Sequence, residues 1–168
     1  MAQIETIARL TTSPLFVEFA TYVLSQSDDG KLPDYLTMNL MDVPHLVPRI
    51  FVLDVQNSVG KLRSKFSGTV IDSFYGVNMS GKCPIDHYKG EGTFDEIEAI
   101  FWKSIRTKTP AYTCRPIHLV NEYVDRFKVA ETLLFPCTSD GTNVNYAIGL
   151  ADYFDINSAG DRCITLIE

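Results

Sequence analysis

No stretch of this sequence approaches the roughly 20 consecutive apolar residues that a bilayer crossing requires, so no membrane partner is expected. The N-terminus, Met1 to Leu10, carries the acidic Glu5 and lacks the basic segment and continuous apolar core of a secretory leader. A soluble, cytoplasmic protein is expected. Cysteine is sparse: Cys83, Cys114, Cys137 and Cys163 lie far apart with no CxxC pair, which argues against a zinc ribbon or a thioredoxin-type redox site and for reduced thiols. Positive charge is short as well, with 15 Lys and Arg against 21 Asp and Glu and a net charge of −6. Such a chain has no basic field for phosphate backbones, so nucleic acid is not expected as a partner. Nor is there a Walker loop, a dinucleotide fingerprint, an HExxH pair or a kinase signature. The expectation is a protein that is not an enzyme.

What is present suits one domain. With 168 residues, of which 45% are hydrophobic, the chain should bury roughly 70% of its unfolded surface. Ser13-Pro14 reads as a helix start, followed by Leu15, Phe16, Phe19, Ala20, Val23 and Leu24 at helical spacing. Pro33, Pro44 and Pro48 prevent a long helix next, and the β-branched and aromatic run Ile50 to Val55 reads as a strand. A second short strand, Leu62 to Phe66, follows the turn at Asn57 to Gly60. TVIDSFYG at 69–76 is a short helix closed by Gly76, and NMSGKCPIDHYKGEG at 78–92 permits only short turns. Thr93 with Glu96 makes a capping box for a helix whose Phe94, Ile97, Phe101 and Ile105 form one stripe. Asp95, Glu96 and Glu98 at its start, with Lys103, Arg106 and Lys108 at its end, complement its dipole. Three strands follow, around Tyr112 to Leu119, Arg126 to Phe135 and Val144 to Tyr153. This order predicts an α+β fold, a five-stranded antiparallel sheet with short helices on one face. Residues 1–30 would hold a flanking helix, 31–155 the main domain, and 156–168 a tail that docks as an extra strand or stays loose.

Four segments resemble a known family. They are LP at 32–33, DVPHLVPRIFVLDV at 42–55, KLRSKFSGTVIDSFYGVNMSGK at 61–82 and ETLLFPCTSDGTNVNYAIGLADY at 131–153. In order and spacing they are similar to the bacterial single-domain PAS proteins common in alphaproteobacteria. The chain departs from that family at Asn39 and Leu40 and at Ser64 and Lys65. The resemblance implies a PAS-like fold and a sensory or regulatory module without intrinsic catalysis. It also implies a small-molecule ligand or a signalling protein partner such as a kinase or regulator, and a homodimer. Within the 168 residues there is no kinase, cyclase or DNA-binding segment, so the output is expected to travel through a partner.

In PAS domains the last two strands form much of the sheet, with a ligand cavity on one side and a dimer or signalling surface on the other. Along the last strand Val144, Tyr146, Ile148 and Leu150 point one way, and Asn145, Ala147, Gly149 and Ala151 the other. On the strand before it, Phe127, Val129, Leu133 and Phe135 share a face opposite Ala130, Thr132 and Leu134. The bulky row is expected to fill the core or cavity. The small row, Ala130, Thr132, Ala147 and Gly149, is expected to let a helix bearing Leu15, Phe16, Phe19 and Val23 sit close, from the same chain or a partner's.

The cavity candidates are then Tyr75, Phe101, Trp102, Arg115, His118, Glu131, Leu133, Tyr146 and Ile148. Glu131 interrupts the bulky face; it would anchor a ligand or pair with an Arg or Lys, since buried carboxylates are usually paired. Arg115 would pair Glu131 or an acidic ligand. His87 and His118 raise haem, but a haem needs a large apolar pocket around its ligand and both are expected to serve ordinary roles. Light-sensing PAS domains carry Asn-Cys followed by Arg, whereas the cysteine nearest that position here is Cys83 in GKCPID, which argues against flavin. Cys83, Asp86 and His87 lack the elbow of a hydrolase. No cofactor is strongly implied. Two rivals remain: a ketosteroid-isomerase-like enzyme with Glu131 as base, disfavoured because two strands precede the helix cluster, and a ligand-free adaptor.

Overall fold

A computed structural model of the chain describes residues 1–88, 93–156 and 163–168. Two helices open it, α1 (Ala2–Leu10) and α2 (Pro14–Leu24). Ser13 caps α2 by accepting a hydrogen bond from the Leu15 N–H at 3.3 Å, and Pro14 sits at the first helical position, where a missing N–H costs nothing. The proline-rich lead-in is resolved into three single 3₁₀ turns, Tyr35–Thr37, Leu40–Asp42 and Val47–Arg49. Strands β1 (Ile50–Asp54) and β2 (Ser64–Ser67) follow, then α3 (Thr69–Tyr75). Gly76 ends α3 at φ +76°, in the left-handed region, and a Cβ there would also meet Val124 at 2.7 Å. The long helix α4 (Thr93–Thr107) leads to β3 (Ala111–Val120), β4 (Asp125–Cys137), β5 (Tyr146–Phe154) and β6 (Cys163–Leu166). The capping box expected at Thr93 involves a side chain outside the described residues, as are residues 157–162 of the tail. Among the described residues no helix is long and apolar enough to cross a membrane.

All strands pair antiparallel in the order β2-β1-β5-β4-β3-β6. Among the described residues the sheet thus has six strands where five were expected, because the C-terminal segment docks on the edge of β3, from Ala111↔Leu166 to Cys114↔Cys163. Docking there satisfies backbone groups that an edge strand would leave open. The hairpin β4-β5 turns through Thr138 to Asn145. Asp140 accepts the N–H groups of Thr142 and Asn143 at 2.8 Å, and Gly141 supplies φ +84°. These hydrogen bonds hold the Asp140 carboxyl well below the usual carboxylate range, the Asn143 side chain contributing most.

Both faces of the sheet are covered. On one, Val129, Leu133, Phe135, Ile148 and Leu150 pack against Phe16, Phe19 and Val23 of α2 and Ile7 of α1. On the other, Ala130, Leu134, Ala147 and Ala151 pack against Phe74 and Tyr75 at the end of α3 and Ile97, Phe101 and Ile105 of α4. This reverses the expected assignment: the bulky row meets α2, and the small row faces the helices of the domain's interior. The reason is complementary size. Aromatic rings from β1, α3 and α4 crowd the second face, so the sheet must be shallow there. At Gly149 an added Cβ would lie 2.2 Å from the Phe51 ring.

Candidate functional site

The small-residue face and the helices opposite it enclose a cavity. Ala130 and Thr132 of β4 and Ala151 and Tyr153 of β5 form its floor; Phe51 and Leu53 of β1, Tyr75 of α3, Met79, and Ile97, Glu98 and Phe101 of α4 form walls. Its cavity volume is about 50 Å³, and the space it shares with its open mouth is about 650 Å³. Aromatic groups order one end. The Tyr75 and Tyr88 hydroxyls lie 3.2 Å apart, and Tyr88 stacks on Phe94 with centroids 4.8 Å apart. Burial raises both tyrosine pKa values well above normal, so these phenols stay neutral and remain hydrogen-bond donors.

One charged residue type enters this apolar space. Glu98 is 5% exposed; its Oε1 accepts the Leu62 N–H at 2.6 Å, and its Oε2 is buried with no partner among the described residues. Burial pushes its carboxyl pKa up, against the lowering effects of the Leu62 N–H and Lys61, with Asp86 and Asp95 adding to the rise. Sequence reasoning had placed Glu98 among the acidic residues that favour a helix start. A signal was there to read: Glu98 lies four residues after Phe94 and three before Phe101, which puts a carboxyl on the apolar stripe.

The residues singled out from sequence divide between the two faces. Tyr75 and Phe101 line the cavity, as do Ala130 and Thr132, which were expected at a partner surface. Ala147 and Gly149 share that inner face, Gly149 beneath Phe51. Leu133 and Ile148 belong instead to the core under α2. Tyr146 also lies on that side, its ring tilted by 31° against that of Tyr35 with centroids 4.3 Å apart. Phe16, Phe19 and Val23 are buried on their own sheet, with Leu15 half-buried beside them, so the covering helix comes from the same chain and lies on the bulky face, whereas a helix from this chain or a partner was expected on the small-residue face.

Glu131 is fully buried but outside the cavity. Its Oε1 accepts the Thr12 N–H at 2.9 Å, the Thr12 hydroxyl donates to Oε2, and the Tyr112 hydroxyl lies 2.8 Å from Oε1. It therefore pins the α1–α2 junction to the sheet, where neither a ligand anchor nor a base for an enclosed substrate was realised. Its partner is not Arg115, which pairs with Glu96 of α4. His118 pairs with Asp125 at 2.6 Å on an exposed edge, and Trp102 is half-buried on α4 away from the cavity lining. His87 packs edge-on to Tyr75 at 6.4 Å, and its pKa is lowered chiefly by burial. Among the described residues no group of three or more His, Cys, Asp and Glu is placed to hold a metal ion.

No protein-family model matches the chain, and no curated protein does. Solved structures do. A light-oxygen-voltage domain studied with a flavin analogue gives a TM-score of 0.53 at 9% identity, over 70% of this chain and 85% of that one. The light-oxygen-voltage protein of Rhodobacter sphaeroides gives 0.51 at 9% identity, over 72% and 71%. That of a fungal photoreceptor gives 0.50 at 10% identity, over 82% and 90%. These likenesses show a PAS fold, of which light-oxygen-voltage domains are the light-sensing subgroup.

The expectation against flavin does not stand. It rested on the missing Asn-Cys-Arg run, which bears on covalent photochemistry, whereas the fold shown is one that solved light-oxygen-voltage domains share, one of them studied through a flavin analogue. In kind, the residues here suit a flat ring: Phe51, Tyr88, Phe94 and Phe101 offer apolar faces, and Ser64, Thr132 and Glu98 offer hydrogen bonds. In this packing a ligand of several rings enters by displacing side chains, because about 50 Å³ is open.

Proposed function

We propose that the chain is a non-catalytic sensory or regulatory PAS domain of the alphaproteobacterial single-domain type. It binds a small ligand between the sheet and α3–α4 and passes a signal by contact with a protein such as a kinase or regulator. The observation that carries this reading is the cavity itself, a mostly apolar space with a few polar groups, built on a sheet face whose side chains are small. The four resembling segments support it, since they supply β1, β2, α3 and the β4-β5 hairpin that frame this space. The ligand acts by binding one packing of the helices more tightly than another, and shifts the equilibrium by that difference in affinity. Homodimerisation belongs to the same reading. Because α1 and α2 already occupy the outer sheet face, the dimer surface is formed by the helices and not by the sheet.

Native mass spectrometry of the protein purified from its own host, with the denatured mass and an absorption spectrum alongside, tests the ligand. Extra mass in the native state is expected, and a flavin would declare itself by colour. A bare chain that also fails to bind any small aromatic added to it would overturn the ligand reading and leave an adaptor.

A further inference from the structure

Resting on the reading of this cavity as a ligand site, we infer that Glu98 selects the ligand: the site takes a compact aromatic or heteroaromatic molecule bearing one N–H donor, received by Oε2. The carboxyl is held in place from both sides. Its backbone is in the second turn of α4, and Oε1 is occupied by the Leu62 N–H at 2.6 Å, which fixes the plane of the group. Glu98 lines the cavity, and its Oε2 is buried with no partner among the described residues. An unpartnered buried acceptor is costly, and a donor that arrives with an otherwise apolar body removes that cost while leaving the remaining walls in apolar contact.

The neighbouring walls define the rest of the ligand. Phe51 and Phe101 lie with nearly parallel rings, centroids 6.2 Å apart, and Tyr88 stacks on Phe94, so the enclosure is built of ring faces that favour a flat molecule. Its open space of about 50 Å³ suits one small ring. A site built to receive a donor discriminates against an analogue of the same shape that lacks it.

Pyrrole and furan are rings of nearly equal size that differ in this one group. Binding of each is measured by NMR titration of the isotope-labelled chain, following the amides of Ala130, Thr132 and Ala151. The wild-type chain is expected to bind pyrrole about tenfold more tightly than furan. In Glu98→Gln the amide oxygen stays on the Leu62 N–H, so the amide N–H₂ faces the cavity, and the preference for pyrrole is expected to vanish. Equal affinity for both rings in the wild type, or an unchanged preference in Glu98→Gln, overturns the assignment of Glu98 while the cavity stands. If neither ring shifts those amides in the wild type or in Met79→Ala, which enlarges the space, the ligand site itself is overturned along with the inference.

Discussion

Glu98 places a carboxyl on the apolar stripe of α4, and the consequence is a defined response to pH. Its pKa is raised in the folded chain, mainly by burial. The folded state therefore holds this proton to higher pH than the unfolded state does, whose carboxyl titrates near about 4.3. The stability associated with the protonated group is fully present below that value and is lost as pH rises through the folded value. Urea midpoints of the wild type and Glu98→Gln should converge at low pH and separate upward from there, the wild type becoming the less stable relative to the variant. Parallel curves for the two proteins would mean that Glu98 ionises as freely folded as unfolded. The comparison also removes the opposite contributions of Asp140 and Asp155, whose lowered pKa values act identically in both proteins. The spacing of Glu98 from Phe94 and Phe101 put it on the apolar stripe in the sequence, but the partner of its carboxyl was not legible there, because that depends on where α4 rests against β1 and the turn at Leu62.

At the scale of elements, the N-terminal pair α1–α2 is joined to the sheet by one buried carboxyl as well as by its apolar face. Glu131→Ala removes the acceptor for the Thr12 N–H and hydroxyl, while the Tyr112 hydroxyl keeps the Leu10 carbonyl at 2.9 Å. A loss of about 3 kcal/mol is expected in urea unfolding, from hydrogen bonds to a buried acid group. Hydrogen exchange should accelerate first in α1 and the first turn of α2. Exchange that stays unchanged there would show that the apolar contacts of Phe16, Phe19 and Val23 hold the pair alone. The start of α2 could be read directly from Ser13-Pro14, since capping is local chemistry. The role of Glu131 could not, because Thr12 lies 119 residues away and the sequence offers no sign of that contact.

For the whole molecule, the two covered faces decide how it can assemble. A bare sheet would have invited a second copy to lie across Ile148 and Leu150, but both are fully buried by the chain's own helices. Light scattering at high concentration is expected to return the mass of a homodimer, and substitutions on the exposed side of α1 and α2, such as Arg9 and Glu18, are expected to weaken it without unfolding the chain. Monomer mass at every concentration would remove the homodimer from the proposed function and leave the hetero-partner as the only output.

The sequence by itself determined the elements: helix caps, turn residues and strand alternation are set by neighbours along the chain, and they placed α2, β1, α3, α4, β3, β4 and β5. Alternation also determined that β4 and β5 each have a bulky and a shallow face. Only the tertiary structure decided which helices lie on which face, because either face can in principle be covered and the choice depends on fitting α2 to bulky side chains and the rings of β1, α3 and α4 to small ones. It likewise decided that the tail becomes β6, since a four-residue strand exists only by pairing with β3. The position of Glu98 in the cavity and of Glu131 outside it follows from that same packing, in which residues far apart in sequence fix the surroundings of each carboxyl.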